Sequence, residues 1–179
     1  MICIVTALFS EAEALIAYYK LKKIKNNIFL IFANNDIFLI ISGMGKINAA
    51  IATTYACTTN KIDKIYNIGI CGSNDKDKCI GSLHPIKTII EYDTNKKFII
   101  CDKGEIVYCV SKPVNKINTF KKILVDMESV GFYNASKKFI QKENIYILKI
   151  ISDFLDTSIL PKKTIYNLVK KNIKNIKIS

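Results

Sequence analysis

Residues 36–50, Asp-Ile-Phe-Leu-Ile-Ile-Ser-Gly-Met-Gly-Lys-Ile-Asn-Ala-Ala, decide the fold class. Branched and aromatic side chains crowd positions 36–42, which predicts a strand. Ser42-Gly43-Met44-Gly45 breaks that pattern, and the alanine-rich run Lys46–Thr59 predicts a buried helix. Strand, glycine turn and helix in succession are the repeating unit of α/β proteins.

The same alternation extends in both directions. Upstream, residues 28–33 read as a strand joined in hairpin style through Asn34-Asn35. Residues 2–6 form a first strand, followed by a turn through Ala7–Phe9. Ser10 stands three residues before Glu13, a capping-box spacing, and Ala12, Leu15, Ile16 and Tyr19 continue with helical periodicity. Downstream, Ile65–Ile68 is a strand ending in Gly69-Ile70-Cys71-Gly72-Ser73. The stretch 74–121 is the least legible, with strands near 86–92, 98–101 and 105–110 and with Pro85 and Pro113 at edges or turns. Leu124–Met127 reads as a strand feeding a helix from Glu128 to about Ile140. Ile145–Ile151 is an apolar strand, Ser152–Pro161 a polar loop, and a lysine-rich amphipathic helix follows. No linker or repeat interrupts the chain. The expectation is one α/β domain over residues 1–179, three layers deep, with a mixed sheet between helices.

Composition narrows the function. The chain has 179 residues, half of them hydrophobic, enough to bury a substantial core. Its uninterrupted apolar stretches are far shorter than a membrane span, and no basic region precedes an apolar one at the N-terminus. Neither a membrane partner nor a signal peptide is expected. The net charge of +12 invites a nucleic-acid reading. However, all 27 basic residues are lysines scattered along the chain, and together with 34 isoleucines and 16 asparagines they reflect AT-rich codons. A solvated basic surface is the simpler reading. The chain has no arginine, the usual bidentate clamp for phosphate, which argues against chemistry built on a bound phosphate. Six cysteines without a CxxC pair, beside one histidine, support no zinc site and suit small core residues in the cytosol. His84, before Pro85, reads as an ordinary loop residue. No metal or cofactor is expected.

One regularity concerns a site. Polar or glycine-rich residues lie just past the carboxyl ends of five strands: Glu11, Gly43–Gly45, Cys71–Gly72, Met127–Glu128 and Ser152–Asp153. Ligands of α/β sheets bind outside those strand ends. Taken singly, each residue has a plainer role: Glu11 as a helix first-turn acid, Asp153 as a cap, Met127 as core and the glycines as turns.

In order along the chain, however, these segments resemble the methylthioadenosine/S-adenosylhomocysteine nucleosidases of the nucleoside phosphorylase superfamily. Ser42–Ala50 resembles that family's SGxGKxNAA, and Asn67–Ser73 its NTGSAGG loop. Val125-Asp126-Met127-Glu128-Ser129 is similar to its VEMEA or VDMEA, and Ile150–Asp156 to its AISDxAD. The resemblance implies cleavage of a purine N-glycosidic bond through an oxocarbenium-like transition state, with adenine-type bases favoured. It implies Asp153 as the acid that protonates the departing base and Glu11 as the residue that binds and activates water. It implies Glu128 as acceptor of the ribose hydroxyls, with Met127 packed on the sugar and Ser152, Cys71 and Gly72 beside the base and sugar. Leu8 and Met44 match positions near the 5′ substituent. It also implies a homodimer with the 46–59 helix near the interface.

The chain departs from the pattern in places. The segment between Gly81 and Asp126 is short, and Val114 of Ser111-Lys112-Pro113-Val114 stands where an aromatic is expected. Ile70 replaces a serine. Phe154-Leu155 is bulkier than its counterpart, and the following loop, with Ile159 and Leu160, is expected to close over the site. Two alternatives stay open: phosphorolysis, opposed by the missing arginines and by the negative Glu11, and a catalytically weak nucleoside-binding protein. Nucleic-acid binding ranks last.

Overall fold

The computed structural model describes residues 1–179 except 118, 120, 157 and 179. Isoleucine-rich segments build a single mixed sheet. In chain order its strands are β1 (Ile2–Thr6), β2 (Lys22–Ile24), β3 (Leu30–Ala33), β4 (Ile37–Ile41), β5 (Lys64–Ser73), β6 (Leu83–Glu91), β7 (Lys97–Ile99), β8 (Glu105–Cys109), β9 (Leu124–Asp126) and β10 (Ile145–Asp153). The helices are α1 (Phe9–Tyr18), α2 (Lys46–Thr59), α3 (Ser129–Ser136) and α4 (Lys162–Asn172).

β1 lies between β4 and β5, parallel to both, and β5 continues parallel to β10. These central strands are buried on both faces and read as continuous apolar runs, as parallel strands do. On one face α2 and α3 cover Cys3, Val5, Ile65, Ile147 and Ile151. On the other α1 and α4 cover Ile4, Ile68 and Ile150. The three layers expected from the sequence are present. In α4, Ile165 and Val169 are buried while Lys162, Lys163, Lys170 and Lys171 stay in water, so its lysines are one helix's solvent face.

Several boundaries differ from expectation. The first helix begins at Phe9 rather than after Ser10. β2 was not anticipated, because three exposed residues carry no burial pattern. The third helix ends at Ser136, short of Ile140. His84 lies within β6, not in a loop, and its Nε2 is 2.7 Å from Ser82 Oγ. β5 runs on to Ser73, and β10 to Asp153, so Cys71–Gly72 and Ser152–Asp153 sit inside strands and not past their ends. The reason is continued pairing. Cys71 and Gly72 still face Ile151 and Asp153 across a bulge, and Gly72 and Ser73 pair antiparallel with Val125 and Leu124. Because β10 also pairs β6, β6 pairs β8 and β8 pairs β9, strands β5, β10, β6, β8 and β9 close into a ring.

The contact between α2 and α3 is unusually close. A β-carbon on Gly131 would lie 1.8 Å from the carbonyl oxygen of Lys46. No rotamer change relieves a clash with backbone. Gly131→Ala is therefore expected to destabilise the fold by about 3 kcal/mol or more, the upper range for overpacking. Urea denaturation is the check, and an unchanged midpoint would show that the helices separate freely.

Candidate functional site

β1 leads into α1 through Ala7 and Leu8, and the helix entry is organised by Glu11. Its Oε2 accepts from the amides of Ala7 and Leu8, each at 2.9 Å. Its Oε1 accepts from the amide of Ile70 at 2.9 Å. The residue that folds back on the helix start is thus Glu11, not Glu13, since the helix begins earlier than the Ser10 spacing implied. Glu11 is only 2% exposed. Burial raises its pKa, although the amides of Ile70, Leu8 and Ala7 and the charge of Lys149 pull the other way. The helix dipole, expected to favour its ionised form, is outweighed by lost hydration. A carboxylate has about four lone-pair positions, so three amide contacts still leave it room to accept from a water.

The departure at Ile70 matters less than its side chain implies, because it is the amide of residue 70 that meets Glu11. Gly69 matters more. A β-carbon there would lie 2.8 Å from Glu11 Oε1, so the carboxylate rests against bare backbone. For the nucleosidase activity that the sequence resemblance implies, Gly69→Ala is expected to push Glu11 off the Ile70 amide and lower base release at least tenfold, with little effect on the KM. Steady-state kinetics test this, and unchanged turnover would remove Glu11 from the chemistry.

A second carboxylate enters from the junction of β9 and α3. Glu128 Oε1 accepts from the Gly45 amide at 3.0 Å, tying this junction to the glycine turn before α2. Two residues earlier, Asp126 caps α3 by accepting from Ser129 N at 3.0 Å and Ser129 Oγ at 2.7 Å. Between the two acids lies Lys149 of β10, 1% exposed, with Nζ 2.8 Å from Asp126 Oδ2 and 3.9 Å from Glu128 Oε2. Burial works against the charge of Lys149. The combined pull of Asp126, Glu128 and Glu11 outweighs it and holds the ammonium well above its ordinary range. Glu128 is pushed up to about 7, chiefly by burial, with Asp126 and Glu11 adding to the rise and Lys149 and the Gly45 amide opposing it.

The third carboxylate is Asp153, at the end of β10. Its Oδ2 accepts from Ser152 Oγ at 2.6 Å, and its Oδ1 from the Asp156 amide at 3.0 Å. Ser152 Oγ also lies 3.1 Å from the carbonyl of Cys71. Asp153 Oδ1 and Leu155 Cδ2 each stand 3.1 Å from the point where a Gly72 β-carbon would be, so Gly72 leaves the space that they fill. Leu155, in the left-handed region at φ 59°, packs with Met127 and Val114 against Val110, Ile117, Ile123 and Val125. Tyr92 and Tyr108 pack against the same cluster, and Val114 contributes an aliphatic side chain where the family that the sequence resembles has an aromatic.

The structure thus brings Glu11, Glu128, Cys71, Gly72, Ser152 and Asp153 to one end of the sheet, with Leu8 and Met127 half-buried at its margin. Met44, just before α2 and next to the Gly45 amide that bonds Glu128, is 60% exposed, and Ile159 projects into solvent at 98% exposure without closing over anything. The sequence reading gave no role to Lys149, to Asp126 or to the Gly45 amide. Lys149 had a signal: it is the one charge inside the apolar run Ile145–Ile151, where an unpaired lysine would be prohibitively costly.

Comparison with known proteins bears on the family and the fold. The family profile described as the phosphorylase superfamily matches residues 1–115. The 5′-methylthioadenosine/S-adenosylhomocysteine nucleosidase of Buchnera aphidicola subsp. Schizaphis graminum is 31% identical over 154 residues, covering 80% of this chain and 64% of the relative. That of Buchnera aphidicola subsp. Acyrthosiphon pisum (strain Tuc7) is 36% identical over 108 residues, covering 58% and 47%. The chain therefore spans only about half to two thirds of the length of these relatives. Among solved structures, the futalosine hydrolase of Helicobacter pylori strain 26695 superimposes with a TM-score of 0.82 at 16% identity, covering 97% of this chain and 94% of that one. The methylthioadenosine/S-adenosylhomocysteine nucleosidase of Helicobacter pylori does so with a TM-score of 0.81 at 16% identity, covering 97% and 96%. At that identity the likeness shows the fold. With the family match over most of its length and the same mixed sheet carrying four helices, this chain belongs to the phosphorylase superfamily.

Proposed function

We propose that this chain, acting as one domain, hydrolyses the N-glycosidic bond of a purine ribonucleoside with an adenine-type base. A 5′-modified ribose, as in methylthioadenosine or a futalosine-type compound, is the favoured substrate class. The observation that supports the reading is that Glu11 and Glu128 share one buried lysine, while Asp153 ends β10 beside Gly72 at the same end of the sheet. Bond cleavage builds positive charge on the ribose and negative charge on the leaving base. Asp153 delivers a proton to the base nitrogen, with its carboxyl group held in place by Ser152 and the Asp156 amide. Glu128 accepts hydrogen bonds from the ribose hydroxyls, and Met127 packs on the sugar. Glu11 orients the attacking water and takes its proton; its raised pKa makes it a better base than an exposed glutamate.

The same cluster disfavours phosphorolysis. A phosphate anion placed here would meet three carboxylates, and the one nearby cation is already committed to Asp126. We also infer a homodimer, because Met44 just before α2 and Ile47 and Ile51 on it expose an apolar stripe that begins at the site's margin. The six cysteines are all free thiols, which suits the cytosol. Among the described residues, no helix is long and apolar enough to cross a membrane.

The deciding experiment measures base release from methylthioadenosine, adenosylhomocysteine, adenosine, inosine and a futalosine, with and without phosphate. Free base and free sugar without phosphate is the expected result. Release only with phosphate would overturn hydrolysis, and no release from a folded protein would favour a binding function.

A further inference from the structure

Glu128 is faced from every side by groups that influence its charge. Glu11 approaches from α1, Lys149 from β10, Asp126 from β9, the Gly45 amide from the start of α2 and the Cys109 thiol from β8. Three carboxylates share one ammonium in a largely buried cluster. One cation does not compensate three anions there, so the carboxylate with the weakest support takes up a proton.

Support is distributed unequally. Asp126 has Lys149 at 2.8 Å together with two donors from Ser129. Glu11 has three backbone amides at 2.9 Å. Glu128 has the Gly45 amide at 3.0 Å and the longer contact to the Met127 amide at 3.3 Å, while Lys149 stays 3.9 Å away. Asp126 is the reason for that last distance. Ser129 fixes the Asp126 carboxylate from below, and the ammonium rests on it.

We propose that Asp126 is a positioning residue: by holding the Lys149 ammonium to itself, it leaves Glu128 as the carboxylate of the cluster that takes up and gives up a proton. One part rests on the proposed function. Ionised Glu128 can accept from both ribose hydroxyls at once, and protonated Glu128 cannot, so sugar binding follows its titration. The value of about 7 for Glu128 agrees with the distances.

Asp126→Asn tests this. Asparagine keeps the shape and an acceptor for Ser129 but loses the charge, so Glu128 becomes the acid nearest Lys149. Carbon-13 NMR of the glutamate side chains in the ligand-free protein should show Glu128 titrating near pH 7 in the wild type. In Asp126→Asn the midpoint should fall by at least about one unit, a tenfold change in proton affinity. Asp126→Glu, which returns the charge, should restore it. In nucleoside cleavage, the acid limb of kcat/KM should move down in parallel, through KM more than kcat.

An unchanged Glu128 midpoint in folded Asp126→Asn would overturn the proposal. So would a wild-type Glu128 titrating in the ordinary carboxylate range, a result that needs no variant and decides the matter if Asp126→Asn does not fold. A midpoint that moves as expected in a protein that cleaves no nucleoside would support the role of Asp126 and overturn the proposed activity. The two therefore fail separately.

Discussion

Asp153→Asn is expected to lower the rate of base release by about 10²- to 10⁴-fold, the usual cost of losing a general acid, while leaving the fold intact. The distinction rests on the two jobs of this side chain. Its structural job is to accept: Oδ1 takes the Asp156 amide and shapes the turn over Phe154 and Leu155, and Oδ2 takes the Ser152 hydroxyl. An asparagine carbonyl can still accept the Asp156 amide, and the Ser152 hydroxyl retains the Cys71 carbonyl as a partner. Its job in the proposed reaction is to give a proton to the departing base, and an amide cannot do that. The thermal midpoint should therefore stay close to the wild-type value while turnover collapses. Nucleosides whose bases leave readily without protonation should lose much less. A variant with wild-type turnover would remove Asp153 from the mechanism, and one that unfolds would make it a turn-forming residue first.

The second large effect concerns stability. Lys149→Met fits the volume of a buried strand residue but strips the cation from between Asp126 and Glu128. Breaking a buried ion pair from one side costs about 3–5 kcal/mol, because the remaining charge is left dry and uncompensated. The loss should depend on pH in a definite direction. The folded-state pKa of Glu128 already lies above its ordinary value, and Lys149 acts to lower it, so removing Lys149 raises it further. A carboxyl that holds its proton more tightly in the folded chain than in the unfolded chain favours folding as pH falls and opposes it as pH rises. The penalty thus grows from the ordinary carboxylate range upward through about 7 and beyond. Urea denaturation at pH 8 and pH 5 measures it: Lys149→Met should lose more stability at pH 8. Equal losses at both values would mean that water reaches these carboxylates in the variant. No loss at pH 8 would mean that Lys149 is not what makes their burial tolerable.

These two predictions differ in how much of their basis the sequence contains. Asp153, Glu128 and Glu11 stand in segments whose order along the chain already pointed to a purine site. The strand, glycine turn and helix around residues 36–59 were legible too. Each depends on interactions within a few residues: β-branched side chains favour extended backbone, glycine permits the turn, and alanine suits a buried helix. The start of the first helix was misread from Ser10 and Glu13 because two acids two residues apart offer competing registers. The choice between them came from Ile70, fifty-nine residues away, whose amide holds Glu11.

The sequence by itself determined the strand, glycine turn and helix around residues 36–59 and the layered α/β class, and it singled out three carboxylates as candidates. Tertiary structure alone decided how Glu11 and Glu128 are charged. Closure of β5, β10, β6, β8 and β9 into a ring brings Lys149 against Asp126, while the approach of α2 to α3 sets the Gly45 amide on Glu128. The physical reason is range. Backbone preferences act between neighbours in the chain, whereas the cost of removing a charge from water, and the partner that offsets it, depend on everything packed around that charge.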